Sequence, residues 1–301
     1  MSRISATTAS ITDLGRVRGY GHMDAFYEQE TRAVWFRMRG KPRPSFTPTL
    51  LREMQDLFDF IRRADDATMP VHYLVAASAV PGIYNLGGDL AYFRRCIERR
   101  DAEALREYAY SCLRMEMTCV DQFGKGVTSY ALIQGSALGG GFEAPLSCDY
   151  IVAERSAQIG FPEILFDLFP GMGAMSFLTR RVSPAAAERL ITSGQMYTAA
   201  ELYELGVVDI LAEDGEGEAV LRRALAEHRS HRRGRVAARR ARNLMQPITF
   251  EELARVADLW VEAALEVDGR ALKVMERIVR SQDRRRERAA QRKEEPAAET
   301  A

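Results

Sequence analysis

Residues 130–143 of the 301-residue chain read YALIQGSALGGGFE. The run opens with YALIQ (130–134), apolar on both faces as a strand inside a covered sheet is. It continues through Gly135-Ser-Ala-Leu-Gly139-Gly140-Gly141 and enters FEAPLSC, an apolar helical stretch that begins at Glu143. Residues 72–80 (HYLVAASAV) start the same pattern again, followed by Gly82-Ile-Tyr-Asn-Leu86-Gly87-Gly88-Asp89-Leu90. A buried strand, a glycine-rich element and a helix, twice over, mark an α/β core.

The alternation extends in both directions. Residues 33–38 (AVWFRM) and 150–153 (YIVA) read as further strands. The loop GKPRPSFTP (40–48) is stiffened by proline, and Pro48 suits the first turn of the helix LLREMQDLFDFIRRA. Residues 101–123 form a long helix whose stripe of Leu105, Tyr108, Cys112, Met115 and Cys119 packs into the core. Ser183 caps the helix PAAAERLITSG and Gly194 stops it, Thr198-Ala-Ala-Glu201 is a capping box, and Gly206 ends that helix before VVDILA. Beyond Asp214 the pattern is helical, with helices expected over 247–268 and 270–281. The expected organisation is a loose lead-in over 1–25, the α/β core over 26–213, a helical region over 214–283 and a disordered tail over 284–301, which has little to bury.

Composition removes several functions. Lysine plus arginine and aspartate plus glutamate each total 42, so a wholly basic nucleic-acid binder is not expected. No apolar run approaches the ~20 residues of a membrane span, and the first residues lack the apolar stretch of a secretory signal. The four cysteines, Cys96, Cys112, Cys119 and Cys148, form no CxxC pair, and none sits in a histidine cluster. No metal site is therefore expected, and reduced thiols in a cytoplasmic setting are. Of the four histidines, His228 and His231 are expected on a solvated helix face, and none begins a Ser/His/Asp arrangement.

The glycine-rich elements carry the chemistry. Neither contains Gly-Lys-Ser/Thr, and Gly139 and Gly141 lack a third glycine where Ala144 stands, so a nucleotide loop is poorly matched. One backbone N–H from each element can instead polarise a carbonyl oxygen. Glu143 and Glu163 lie close to them in sequence, and a carboxylate at the head of an apolar helix is costly unless it has a purpose. Two carboxyls whose pKa values are pushed apart can serve as general acid and general base.

The strings Ala137-Leu-Gly-Gly-Gly-Phe-Glu143, Gly160-Phe-Pro-Glu163 and Phe169-Pro-Gly-Met-Gly173 resemble the signature of the crotonase (enoyl-CoA hydratase/isomerase) superfamily. Within it, YNLGGDLAYF (84–93) and FPEILFDLFPGMGAMSFL (161–178) look most like the bacterial diffusible-signal-factor synthases, which make cis-2-unsaturated fatty-acid quorum-sensing signals. The resemblance implies a ββα spiral core and an oxyanion hole from the N–H groups of Leu86 and Gly140. It also implies Glu143 and Glu163 as the catalytic carboxylates, with substrate contacts at Gly87, Gly88 and Gly139. By this resemblance the enzyme dehydrates a 3-hydroxyacyl thioester of acyl carrier protein or coenzyme A and hydrolyses the thioester, with no cofactor besides that carrier. The loop RGKPRPSFTPTLL departs from the usual Asn-Arg-Pro…Asn-Ala-Leu pattern, which puts the usual mode of holding coenzyme A in doubt.

An acyl tail needs an apolar tunnel, for which Met172, Met175, Phe177, Trp260 and Ile278 are candidates, Trp260 foremost; for most of them plain core packing is the competing reading. The cluster Arg232, Arg233, Arg235, Arg239, Arg240 and Arg242 reads as a solvated helix face, or as a contact for an acidic carrier protein or a coenzyme A phosphate. Two rival functions are an ordinary enoyl-CoA hydratase and a non-catalytic binder of a signalling partner. The resemblance further implies a homotrimer or hexamer and binding to the receiver domain of a cognate sensor kinase.

Overall fold

The computed structural model describes the backbone of residues 11–294 and the side chains of residues 11–284. Eleven strands are present among them: β1 (Ile11–Asp13), β2 (Met23–Glu28), β3 (Ala33–Met38), β4 (Tyr73–Ser78), β5 (Gly82–Asn85), β6 (Thr128–Ile133), β7 (Gly135–Leu138), β8 (Tyr150–Glu154), β9 (Gln158–Gly160), β10 (Met196–Thr198) and β11 (Ile210–Ala212). They form a seven-stranded sheet in the order β1-β2-β3-β4-β6-β8-β11 and a four-stranded sheet in the order β10-β9-β7-β5. From β3 to β11 the larger sheet is parallel, while β1, β2 and β3 pair antiparallel.

Each turn of the chain gives one strand to each sheet. β4 enters the large sheet and β5 the small one, and helix Leu90–Glu98 follows. β6 and β7 repeat the step before helix Gly140–Ser147, and β8 and β9 repeat it again. This is the ββα spiral of the crotonase fold, with C-terminal helices Gly217–Ser230, Arg232–Met245, Phe250–Glu266 and Gly269–Glu294. Alternation along the central strands serves two cores. Leu74, Ala76, Ala131 and Ile133 face the main core between the sheets, whereas Tyr73, Val75, Tyr130 and Leu132 face a second core under helix Gly217–Ser230.

Several elements depart from the expectations. Within 1–25, the described residues hold β1, a short helix Leu14–Arg18 capped by the Asp13 side chain, and the start of β2, whose Met23 and Ala25 are core. The last helix does not stop near Ser281 but runs through Glu294, taking in most of the expected tail; residues 295–301 lie outside the described residues. His228 is buried, not solvated, with Nδ1 against the Tyr130 hydroxyl. Its rows of arginines made the stretch read as polar throughout, although only one side of helix Gly217–Ser230 is.

Candidate active site

Glu143 sits in the first turn of helix Gly140–Ser147 and is 2% exposed. Its Oε1 accepts the Met172 N–H at 2.7 Å and the Ala174 N–H at 3.2 Å. The segment Phe169-Pro-Gly-Met-Gly173 thus wraps the carboxyl with backbone amides, a role its glycines do not announce in sequence. Burial lifts the Glu143 carboxyl to about 7, against the pull of those two amides towards the charged form.

Glu163 opens a 3-10 turn, Glu163–Phe166, directly after β9 and Phe161-Pro162. The residue is half-buried overall, but its Oε2 is shut from solvent without a hydrogen-bond partner. Burial first, and the neighbouring Glu143 charge second, push its carboxyl up to about 8. Gly139, at φ +54°, clears space for this group: a Cβ there would stand 2.0 Å from Glu163 Oε1. The two carboxyls predicted from sequence therefore meet in one cavity, both lifted from the usual carboxylate range to near neutrality.

The oxyanion donors need a correction. The Leu86 N–H is engaged, donating to the Pro44 carbonyl at 2.7 Å, and the Gly87 N–H donates to Asn85 Oδ1 at 2.8 Å. The next amide in the loop belongs to Gly88, and its nitrogen lies 3.3 Å from where a Gly140 Cβ would be. Gly88 and Gly140 are the facing pair, and Gly140 is the first residue of its helix, where an amide has no partner within the helix. The sequence reading missed this because it could not see Pro44. The loop that departs from the usual pattern lies along the glycine element, with Phe46 N–H donating to Gly87 O at 2.8 Å and Tyr108 holding Phe46 O at 2.5 Å.

The cavity is apolar beyond the carboxyls, with Phe36, Met54, Phe93, Met172, Trp260 and Ile278 in its wall. Trp260 meets Phe93 edge-to-face at 5.0 Å between ring centroids. Gly87, Gly88 and Gly139 line it too. Met175 and Phe177 do not belong to this wall: Met175 is 37% exposed, and Phe177 is core packing against Gly173. A third carboxyl, Glu116 on helix Ala102–Val120, lines the cavity at 4% exposure with Oε2 unpartnered, held well above the usual carboxylate range by burial and by Glu143. Its sequence signal was a glutamate between Met115 and Cys119 on an otherwise apolar stripe. Arg232, Arg235, Arg239 and Arg242 lie elsewhere, on the other face of the large sheet, around a cavity of their own.

The fold that holds these glycine amides and paired carboxyls on one apolar cavity is the crotonase fold, and comparison with known proteins agrees. The chain belongs to the enoyl-CoA hydratase/isomerase family, whose model matches residues 37–259. Among curated relatives, a probable mitochondrial enoyl-CoA hydratase 2 of Arabidopsis thaliana is 30% identical, over 56% of this chain and 52% of its own length. Human mitochondrial methylglutaconyl-CoA hydratase is 31% identical over 57% of this chain and 50% of its own. The chain thus spans about half the length of these relatives. Among solved structures, the enoyl-CoA hydratase of Bacillus halodurans has a TM-score of 0.72 at 19% identity, covering 85% of this chain and 99% of that one. DspI of Pseudomonas aeruginosa has a TM-score of 0.57 at 23% identity, covering 80% and 91%. At these identities both speak for the fold.

Proposed function

We propose that the protein dehydrates a 3-hydroxyacyl thioester and then hydrolyses the product, releasing a cis-2-unsaturated fatty acid of the diffusible-signal-factor kind. The observation that carries this reading is the pair Glu143, buried, and Glu163, half-buried with its Oε2 shut from solvent, both lifted towards neutrality in one apolar cavity. The thioester oxygen sits between the Gly88 and Gly140 amides, which acidifies C2; one such donor is worth about 3–4 kcal/mol of barrier. One glutamate takes the C2 proton while the other protonates the departing 3-hydroxyl, giving the 2-enoyl thioester and water. A water deprotonated in the same site then attacks the thioester carbonyl, the C–S bond breaks, and the carrier thiol leaves with a proton. The Phe93 and Trp260 wall suits an acyl tail on acyl carrier protein or coenzyme A. The cis geometry, the thioesterase step, a cytoplasmic homotrimer or hexamer and a receiver-domain partner rest on the family resemblance alone.

The identities to hydratases favour a second reading, reversible hydration of a 2-enoyl-CoA with the thioester left intact. Mass spectrometry of the products from 3-hydroxydodecanoyl-acyl carrier protein separates the two. Free cis-2-dodecenoic acid is expected; intact thioester beside brisk hydration of crotonyl-CoA establishes the hydratase instead.

A further inference from the structure

The large sheet carries a second cavity on the face turned away from the acyl site. Helix Arg232–Met245 forms one wall, and residues from β4, β6 and β8 form the other; Cys148 lines the acyl cavity while its neighbour Asp149 lines this one. Arg232, Arg235, Arg239 and Arg242 recur at spacings of three and four, which places them on one helix face. All four line the cavity.

The carboxylates here are already occupied. Asp149 takes Arg239 Nε at 2.8 Å and the Ser129 N–H at 2.8 Å, and Asp209 takes Arg181 Nη1 at 3.1 Å and the Ile151 N–H at 2.7 Å. Among the described residues Arg232, Arg235 and Arg242 make no ion pair. Arg232 and Arg242 donate to the Gly126 and Arg180 carbonyls, and Arg235 reaches the Tyr150 hydroxyl at 3.5 Å. Positive charge is crowded rather than balanced.

Three buried polar atoms of lining residues also lack partners: the Tyr73 hydroxyl, Gln122 Oε1 and Arg232 Nε. Tyr73 is 1% exposed and Gln122 2%. Buried polar groups are ordinarily paired, so three on one cavity point to a ligand with both acceptors and a donor. Arg232 Nε and the Tyr73 hydroxyl need an acceptor, and Gln122 Oε1 needs a donor.

We propose that this cavity binds a phosphate group, either as free inorganic phosphate or as a phosphomonoester. The P–O⁻ oxygens of either form accept from the arginines and Tyr73, and the P–O–H that inorganic phosphate keeps at pH 7 donates to Gln122 Oε1. Sulfate and a fully ionised phosphomonoester, which have no proton at neutral pH, leave that carbonyl unpaired and bind more weakly than inorganic phosphate. The sheet separates the site from Glu143 and Glu163, so occupation here does not compete with the acyl group for space.

Calorimetric titration of the full chain at pH 7 and constant ionic strength, with inorganic phosphate, sulfate and coenzyme A in separate runs, tests the assignment. Phosphate is expected to bind saturably and more tightly than sulfate, and both Arg235→Gln and Tyr73→Phe are expected to weaken it by about tenfold or more. Arg235 is exposed, so its substitution leaves the core untouched. Binding of coenzyme A without inorganic phosphate, lost in Arg235→Gln, assigns the same site to a phosphate on the carrier. Heats that match a chloride control, or phosphate binding that survives Arg235→Gln, overturn the proposal.

Discussion

Gly139 shows how little room the site leaves. Its φ of +54° and the 2.0 Å approach of a would-be Cβ to Glu163 Oε1 make alanine doubly unfavourable there. Gly139→Ala should displace the carboxyl by about 1 Å and lower kcat by roughly 100-fold, with circular dichroism unchanged. The carboxyls also set the pH response. Catalysis by this pair needs one group ionised and one protonated, and the two titrate near 7 and 8. The pH profile of kcat/KM should therefore be bell-shaped, falling below about 7 as the base gains its proton and above about 8 as the acid loses its own; both limbs belong to the pair. A profile flat from pH 6 to 9 would remove the acid–base assignment. Glu143 was legible in sequence as a charge at the head of an apolar helix, and Glu163 through its closeness to the glycine elements and the Gly160-Phe-Pro-Glu163 motif. Leu86 was misread, since the bond that occupies its amide comes from Pro44, 42 positions away in the chain.

At the scale of elements, the C-terminal helix Gly269–Glu294 is more than an appendage. Its Met275 is fully buried in the main core, Ile278 lines the acyl cavity, Gln282 donates to the Leu86 carbonyl at 3.2 Å, and Asp283 pairs with Arg43 at 2.7 Å. The helix therefore closes the cavity over the glycine element. A chain ending at residue 268 loses the Ile278 contact with the acyl tail, and burial of one such side chain is worth about 1.5–3 kcal/mol. Steady-state kinetics should then show KM for a long-chain thioester raised by at least about tenfold, with a smaller change for crotonyl-CoA. The extent of this helix was hidden because 281–294 is dense in arginine and glutamate, and among the described side chains of 281–284 Gln282 alone is buried. The small sheet was hidden for another reason. β5, β7, β9 and β10 are three or four residues long, and β5, β7 and β9 contain glycine, so they show no alternation. The strands of the large sheet were clear by contrast, and AVWFRM matches β3 residue for residue.

For the molecule as a whole, a protein that keeps carboxyls neutral gives up stability to do so. Glu163 has an ordinary value of 4.5 and is held near 8 in the fold. Its contribution is fully present below pH 4.5 and is lost as pH rises through 8, because the unfolded chain sheds the proton first. Glu163→Gln, neutral throughout, should melt close to wild type at pH 4 and progressively above it from pH 5 to 8; a Tm difference independent of pH would contradict the buried, protonated carboxyl. The fold class followed from the strand–glycine–helix repeats, and the spiral itself followed from the resemblance. The second cavity did not, because four arginines on a helix look the same whether they face solvent or ring a pocket.

The most direct test of the account is mass spectrometry of products from 3-hydroxydodecanoyl-acyl carrier protein with wild type, Glu143→Gln and Glu163→Gln side by side. The proposed dehydration and hydrolysis predict free cis-2-dodecenoic acid from wild type, and two carboxyls sharing one cavity as acid and base predict a loss of roughly 100-fold or more in each variant. Release of the acid at the wild-type rate by either variant would contradict it.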